Sequence, residues 1–313
     1  MERYQVAIIG AGPAGMTAAL YACRAGKSVL LIDGQGYGGQ ILQSHKVENY
    51  PGAPEVSGME LAEQMMSQLR ALGLEPTFAQ VEGLRREAQG FSVLCGDRAY
   101  LADAVILATG VSYRRLGVTG EETFIGRGVS FCATCDGRFF KGREVAVVGG
   151  GNTALQDALV LSGLCSKVYL IHRRDSFRAE QYLVDRLQTV ENLEIVTDSV
   201  VTSVEGEFSL QSVTVKNLKT DEVRALSVAA LFEAVGTVPQ NQAFADAVEL
   251  DADGYIVTDD DCRTSQTGIF AAGDCRRKRV RQLTTAVADG TVAALAATEY
   301  LDRRSIDHPI GCF

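Results

Sequence analysis

The sequence predicts a three-layer α/β protein in which a second domain is inserted into the first. Three observations predict it. A glycine-rich strand–turn–helix–strand unit lies at the start, the unit recurs with a constant shift of 139 residues, and an apolar strand ending in Gly273-Asp274 follows the second copy. Tyr4 to Ile9 is a short apolar, β-branched run, Gly10-Ala11-Gly12-Pro13-Ala14-Gly15 is the turn, Met16 to Arg24 is helix-like, and Ser28 to Ile32 is a strand ending at Asp33. With an acid 18 residues after the last glycine, this is the fingerprint of a Rossmann-like dinucleotide site. Gly10 permits the tight turn, Gly12 lets backbone approach a pyrophosphate, and Gly15 lets helix and strand pack closely, while the phosphates meet the helix N-terminus. Asp33 accepts a ribose hydroxyl and repels a 2′-phosphate, so this site suits FAD or NAD.

The second copy runs from the strand Glu144 to Val148, through Gly149-Gly150-Gly151-Asn152-Thr153-Ala154, to the strand Lys167 to Ile171. The shift that carries Gly10 onto Gly149 also carries Asp33 onto His172 without a gap. There the acid gives way to His172-Arg173-Arg174, with Arg178 four residues after Arg174. Guanidinium forks bind phosphate bidentately, so this copy is expected to take NADP(H). A solvated charged face is the alternative. Asp103 to Ala108, followed by Thr109-Gly110, and Ala229 to Ala234 close the two units. The strand Gly268 to Ala272 and a helix from Thr284 to Tyr300 then return to the first domain. Asp274 is placed to bond a sugar-like hydroxyl chain. Ser57-Gly58-Met59-Glu60 is expected to open a helix to about Leu72 with a capping box, Met65 and Met66 filling core or interface.

Composition excludes other classes. Charged residues at 22% and apolar residues at 46% fit a folded domain pair and not a disordered or fibrous chain. A formal charge of -9 disfavours nucleic acid as a partner. No apolar run is long enough for a membrane helix, and Val6 to Ile9 is too short for a signal core, so no membrane role and a cytoplasmic location are expected. Eight cysteines are too few for a disulfide scaffold and fit a reducing compartment.

One close pair stands out in Phe131-Cys132-Ala133-Thr134-Cys135-Asp136-Gly137. The two sulfurs are spaced for an internal disulfide that opens and closes. Zinc competes for such a pair, but there is no second CxxC and His45, His172 and His308 are scattered, so no metal is expected. Asp136 offers a carboxyl beside the sulfurs to give or take a proton, or simply serves the turn before Gly137.

On these residues, together with Gly38-Gly39-Gln40, Val47 to Gly52, His172 to Ala179, and Gly273-Asp274 with Arg281-Gln282, the sequence resembles the low-molecular-weight, bacterial-type NADPH-dependent thioredoxin reductases over essentially its whole length. The resemblance implies an FAD-binding domain at 1–114 and 243–313, and an NADPH-binding domain carrying the CxxC at 115–242. Gly10, Gly12, Pro13, Ala14, Gly15, Asp33, Gly39, Gln40, Asn49, Thr109, Gly110, Gly273, Asp274, Arg281 and Gln282 would serve FAD. Gly149, Gly151, Asn152, Thr153, Ala154, His172, Arg173, Arg174 and Arg178 would serve NADPH. It further implies that Cys135 lies against the flavin, Cys132 attacks the disulfide of thioredoxin or a similar CxxC protein, Asp136 is the acid-base group, and the protein is a homodimer. Nicotinamide and CxxC share the inserted domain yet need one flavin, so rotation on the crossings near 112–117 and 240–246 is expected to alternate them. A ferredoxin-dependent thioredoxin reductase or a flavoprotein dithiol oxidase of the same fold is the alternative, and neither needs the second glycine turn or the arginine cluster.

Four features sit outside this pattern. Asp157 falls one residue late for an acid commonly found there, or is merely exposed. Cys275 follows Asp274 and is expected as a small buried residue, Cys312 as part of a frayed tail. The basic run Arg276-Arg277-Lys278-Arg279 is expected to be a partner-docking or solvated face.

Overall fold

The computed structural model describes residues 2–307 except His45 and Pro54; Cys312 and His308 lie outside the described residues. The chain forms two compact units, Met1–Ser112 with Val238–Phe313, and Tyr113–Thr237. The second boundary falls five residues earlier than the 242/243 expected, because the linking segments Val111–Tyr113 and Thr237–Pro239 pair as a two-stranded ribbon at that point.

In the first unit, Thr77–Phe78, Val29–Asp33, Arg3–Ile9 and Arg98–Leu107 lie side by side in that order and parallel. Arg98–Leu107 is longer than the expected strand. The extra residues at its start form a hairpin with Gly90–Cys95, leaving Val105 to Leu107 to pair with the late strand Ile269–Ala271. Alternation sends Val6, Ile8, Leu31, Ile106 and Phe270 to one face, under helices Pro13–Arg24 and Leu283–Asp307. Ala7, Ile9, Ile32, Leu107 and Ile269 go to the other, against Phe91, Val93, Phe244 and Ile256. The two helices approach through small residues: a Cβ on Gly290 would lie 2.3 Å from the carbonyl oxygen of Ala14. Helix Gly58–Arg70 carries the expected capping box: Ser57 Oγ accepts from Glu60 N at 3.1 Å, and Glu60 Oε2 accepts from Ser57 N at 2.8 Å. It buries Met66 in the core.

The second unit has a five-stranded parallel sheet, in the order Leu193–Val196, Lys167–Ile171, Glu144–Val148, Ala230–Glu233 and Val129–Ser130. One face packs on helices Asn152–Ser162 and Gln181–Leu187, and the other on an antiparallel sheet of Ser199–Gly206, Leu210–Asn217 and Val223–Ser227.

Two carboxyl groups are buried in this second core: Glu121 and Glu233 are each 2% exposed. Glu121 Oε2 accepts from Gly117 N at 2.6 Å and Val118 N at 3.1 Å. Burial first, and then the Glu121 carboxylate, push Glu233 from its ordinary 4.5 up to about 8. Between those values the folded chain holds a proton that the unfolded chain has lost. Stability therefore falls as pH rises through that window, by at most about 1.4 kcal/mol per pH unit for one proton. Urea unfolding as a function of pH is expected to show this fall in the wild type, and a shallower one in Glu233→Gln.

Candidate active site

The first glycine turn separates packing from binding. Gly10 has φ +107, and a Cβ there would lie 2.2 Å from Ala108 O. On Gly15 a Cβ would fall 1.8 Å from Gly10 O, whereas on Gly12 it would meet nothing nearer than Gly39 Cα at 4.0 Å. Gly12 thus leaves space no protein atom claims. Helix Pro13–Arg24 begins three residues before the expected Met16, since proline fits its first position, and Gly12 caps it without a side chain. Its first N–H groups stay open to an anion. Gly15→Ala is expected to destabilise the protein by about 2–3 kcal/mol through overpacking and to lose FAD. Gly12→Ala should melt like wild type as apoprotein yet bind FAD weakly, which thermal unfolding and flavin titration distinguish.

The other flavin candidates gather around this turn. Asp33 accepts from Ala11 N at 2.8 Å, Gln35 N at 2.7 Å and Gly36 N at 3.2 Å, so the carboxylate also ties its strand end to the turn. Gly273 has φ +81, and a Cβ on it would lie 2.8 Å from Ala14 Cβ, which sets the Gly-Asp turn against the helix start. Gln40 Nε2 donates to Val111 O, and Asn49 Nδ2 donates to Gln282 Oε1 at 3.4 Å. Thr109 Oγ1 donates to Asn241 Oδ1 at 2.8 Å, and Asn241 Nδ2 donates to Gly254 O and Cys275 O. Nothing in the sequence around Asn241 marked this fully buried amide as the clasp of the loops. Arg281 lies 4.0 Å over the Tyr255 ring and donates to Asp274 O at 3.3 Å. Asp274 Oδ1 is buried without a hydrogen-bond partner, the Lys278 ammonium being 3.5 Å away. Such an acceptor fits a cofactor's hydroxyl chain. Cys275 is fully buried, its thiol donating to Leu107 O and Ala272 O, and burial pushes it up.

In the second turn Gly149 has φ +154, and a Cβ on it would lie 2.5 Å from Ala234 O and 2.6 Å from Ala154 Cβ. Gly151 has open space around it and caps helix Asn152–Ser162 without a side chain. Asn152 exchanges hydrogen bonds with Glu180 at 2.9 and 2.8 Å, and Thr153 is exposed. His172 departs from the phosphate role expected of it. Its ring is buried against Gly150, where a Cβ would come within 2.1 Å, stacks on Phe177, and places Nε2 3.0 Å from Ser176 O. Burial, then the neighbouring arginines, hold His172 below its ordinary value, so it forms the neutral floor of the turn. Arg173, Arg174 and Arg178 are exposed, and among the described residues none makes an ion pair. Arg178 N donates to Gly150 O at 2.7 Å, which fastens the cluster to the glycine turn. Asp157 is half-buried rather than exposed, and burial pushes it up to about 7.

Cys132 and Cys135 are joined as a disulfide with Cα atoms 5.3 Å apart, both half-buried. Cys132 is the cap of the short helix Ala133–Asp136, its Sγ accepting from Cys135 N at 3.2 Å and lying 3.3 Å from Thr134 Oγ1. When the bond is open, these donors favour thiolate at Cys132. Ser130, at the end of the edge strand Val129–Ser130, donates to Asp136 Oδ2 at 2.6 Å and accepts from Cys132 N at 3.2 Å. It thereby holds the carboxylate and the cysteine turn together. The strand ending two residues before Cys132 was the available signal for Ser130. Phe131 stacks on Tyr113 at 4.6 Å, with the Arg115 guanidinium 4.5 Å from its ring.

Two open glycine turns, one closed by an acid and one by an arginine cluster on the unit that holds a redox disulfide, define a nucleotide-dependent disulfide oxidoreductase. A family model described as pyridine nucleotide-disulphide oxidoreductase matches residues 4–290. Thioredoxin reductase of Treponema pallidum is 46% identical, covering 96% of this chain and 97% of the relative. The crystal structure of thioredoxin reductase from Streptococcus pyogenes superposes with a TM-score of 0.92 at 42% identity, over 96% of this chain and 99% of that one. A ferredoxin-flavin thioredoxin reductase from Clostridium acetobutylicum gives 0.55 at 29% identity, over 98% and 100%. The chain belongs to the pyridine nucleotide-disulphide oxidoreductases and, among them, to the thioredoxin reductases. Among the described residues no helix is long and apolar enough to cross a membrane.

Proposed function

We propose that the chain passes electrons from NADPH through FAD and the Cys132–Cys135 disulfide to the disulfide of oxidised thioredoxin. The observation that carries this reading is the disulfide on the same unit as a glycine turn and three arginines that, among the described residues, make no ion pair. Gly12, Gly39, Asp33, Thr109, Asp274 and Arg281 would hold FAD, and Gly151, Asn152, Arg173, Arg174 and Arg178 would hold NADPH, with His172 beneath the turn. When bound, the two cofactors supply the electron pair that opens the disulfide. Cys132 thiolate then attacks the thioredoxin disulfide, forming one S–S bond and releasing one thioredoxin sulfur, to which Asp136 relays a proton. Cys135 thiolate next attacks the mixed disulfide at Cys132, so the internal bond re-forms and thioredoxin leaves with both electrons.

One flavin serving an electron donor, NADPH, and an electron acceptor, the Cys132–Cys135 disulfide, both on unit 113–237, would require that unit to present them in turn, so a cross-link between the units should stop turnover. The reading places the enzyme as a homodimer in a reducing cytoplasm, in keeping with the free thiols of Cys23, Cys95, Cys165, Cys262 and Cys275. Anaerobic titration tests it: NADPH, and NADH far less well, should bleach the bound flavin and support thioredoxin reduction. Flavin reduced by ferredoxin but not by NADPH would overturn the donor.

A further inference from the structure

Of the basic run Arg276-Arg277-Lys278-Arg279, only alternate members face solvent. Arg276 and Lys278 turn inward, with side chains 11% exposed, onto Asp289 of helix Leu283–Asp307. Arg276 Nη1 lies 3.0 Å from Asp289 Oδ1, and Lys278 Nζ lies 2.9 Å from Asp289 Oδ2. That second oxygen also accepts from Gly273 N at 3.1 Å. Lys278 Nζ donates to Thr285 Oγ1 at 3.2 Å and is the cation 3.5 Å from Asp274 Oδ1. Arg276 is anchored on its far side by Thr258 Oγ1, Asp259 O and Cys262 Sγ. Arg276 and Lys278 therefore form a buried frame beneath the Gly273–Cys275 turn, and only Arg277 and Arg279 are left on the solvated face expected of the whole run.

Resting on the FAD reading above, we infer that Lys278, held by Asp289, is a positioning residue for the flavin: it keeps the Asp274 carboxylate ionised and aimed as an acceptor for the cofactor's hydroxyl chain. The charged groups that face Asp274 are Lys278 and Arg281 from its own loop and Asp289 from the C-terminal helix; the first turn of helix Pro13–Arg24 brings none. Burial pushes the Asp274 carboxyl up, and Lys278 and then Arg281 pull against it, with Asp289 adding to the upward push. A hydroxyl donating to a carboxylate is bound more strongly than one donating to a neutral acid. Removing the ammonium should hand Asp274 a proton at a higher pH and weaken FAD accordingly.

The test is FAD binding by apoprotein, followed by flavin fluorescence across the acid-to-neutral range, for wild type, Lys278→Met, Lys278→Arg and Asp289→Asn. Lys278→Met should lose about 10-fold in affinity, the worth of one charge-assisted contact, and the acid limb of its profile should move to higher pH. Lys278→Arg should restore the profile, and Asp274→Asn should bind weakly with no acid limb. Asp289→Asn should move the limb the other way, to lower pH, because it keeps the ammonium and removes the carboxylate that pushes Asp274 up. A purely structural frame would lower affinity by one factor at every pH, and that result, or a Lys278→Met profile that overlays wild type, overturns the inference. Wild-type apoprotein that binds no FAD would instead overturn the cofactor reading and the inference with it.

Discussion

Replacing either Cys132 or Cys135 with serine is expected to abolish thioredoxin reduction, a loss on the order of 10³-fold or more because one sulfur can neither form nor resolve the exchange intermediate. Reduction of the flavin by NADPH should persist at the wild-type rate. The informative measurement is anaerobic stoichiometry. The wild type should accept two electron pairs, one on the flavin and one on the Cys132–Cys135 disulfide, whereas each serine variant should accept only the first. The two variants should also differ. With Cys135→Ser, the remaining Cys132 keeps the Cys135-position amide and Thr134 hydroxyl beside it, so its thiolate should alkylate at lower pH than the Cys135 of Cys132→Ser. A Cys135 that alkylates at lower pH than Cys132 would reverse the assignment of the attacking sulfur.

The second large effect concerns nucleotide choice. Arg173→Gln with Arg174→Gln is expected to raise KM for NADPH about 100-fold, from the loss of two charge-assisted contacts to a phosphate, and to leave NADH unchanged. The full effect should appear because, among the described residues, neither guanidinium is engaged in an ion pair that the substitution would release. His172→Ala provides the contrast. Its ring supports Gly150 and its Nε2 is engaged with Ser176 O, so both nucleotides should bind more weakly and their ratio should stay near the wild-type value. Steady-state kinetics with both nucleotides separates the two patterns.

The parts of the site legible in the sequence are those where backbone geometry admits one residue type. Gly10, Gly15 and Gly149 each face a carbonyl at a distance that no Cβ tolerates, and the strands beside them alternate or run apolar as buried parallel strands must. The CxxC was legible because two sulfurs three residues apart have few other uses. What escaped depended on direction in space. His172 directly precedes Arg173 and Arg174 in sequence but turns under the loop while they turn out. Lys278 and Asp289 meet from different elements, so their run appeared as a surface charge cluster. Glu233 sits in an otherwise apolar strand, and only the fold shows Glu121 beside it. Asp157 stands on a helix between buried Ala154 and Leu161, on one stripe with them, which its pairing with Gln156 as adjacent polar residues concealed.

The late arrival of strand Ile269–Ala271 and helix Leu283–Asp307 has a consequence for synthesis. As the chain leaves the ribosome, Arg3–Ile9, Val29–Asp33 and Arg98–Leu107 emerge early, and Arg98–Leu107 pairs with Arg3–Ile9 on one side, but Val105 to Leu107 have no strand on the other. The face bearing Val6, Ile8 and Ile106 likewise lacks its second covering helix. Residues 113–237 contain every strand of their own sheets and can close at once. The part translated second is thus the first able to finish, and the part translated first waits as an exposed apolar surface for the last seventy or so residues. That interval, set by topology and not by sequence order, is where a chaperone would be needed and where a truncated message would leave an aggregation-prone product.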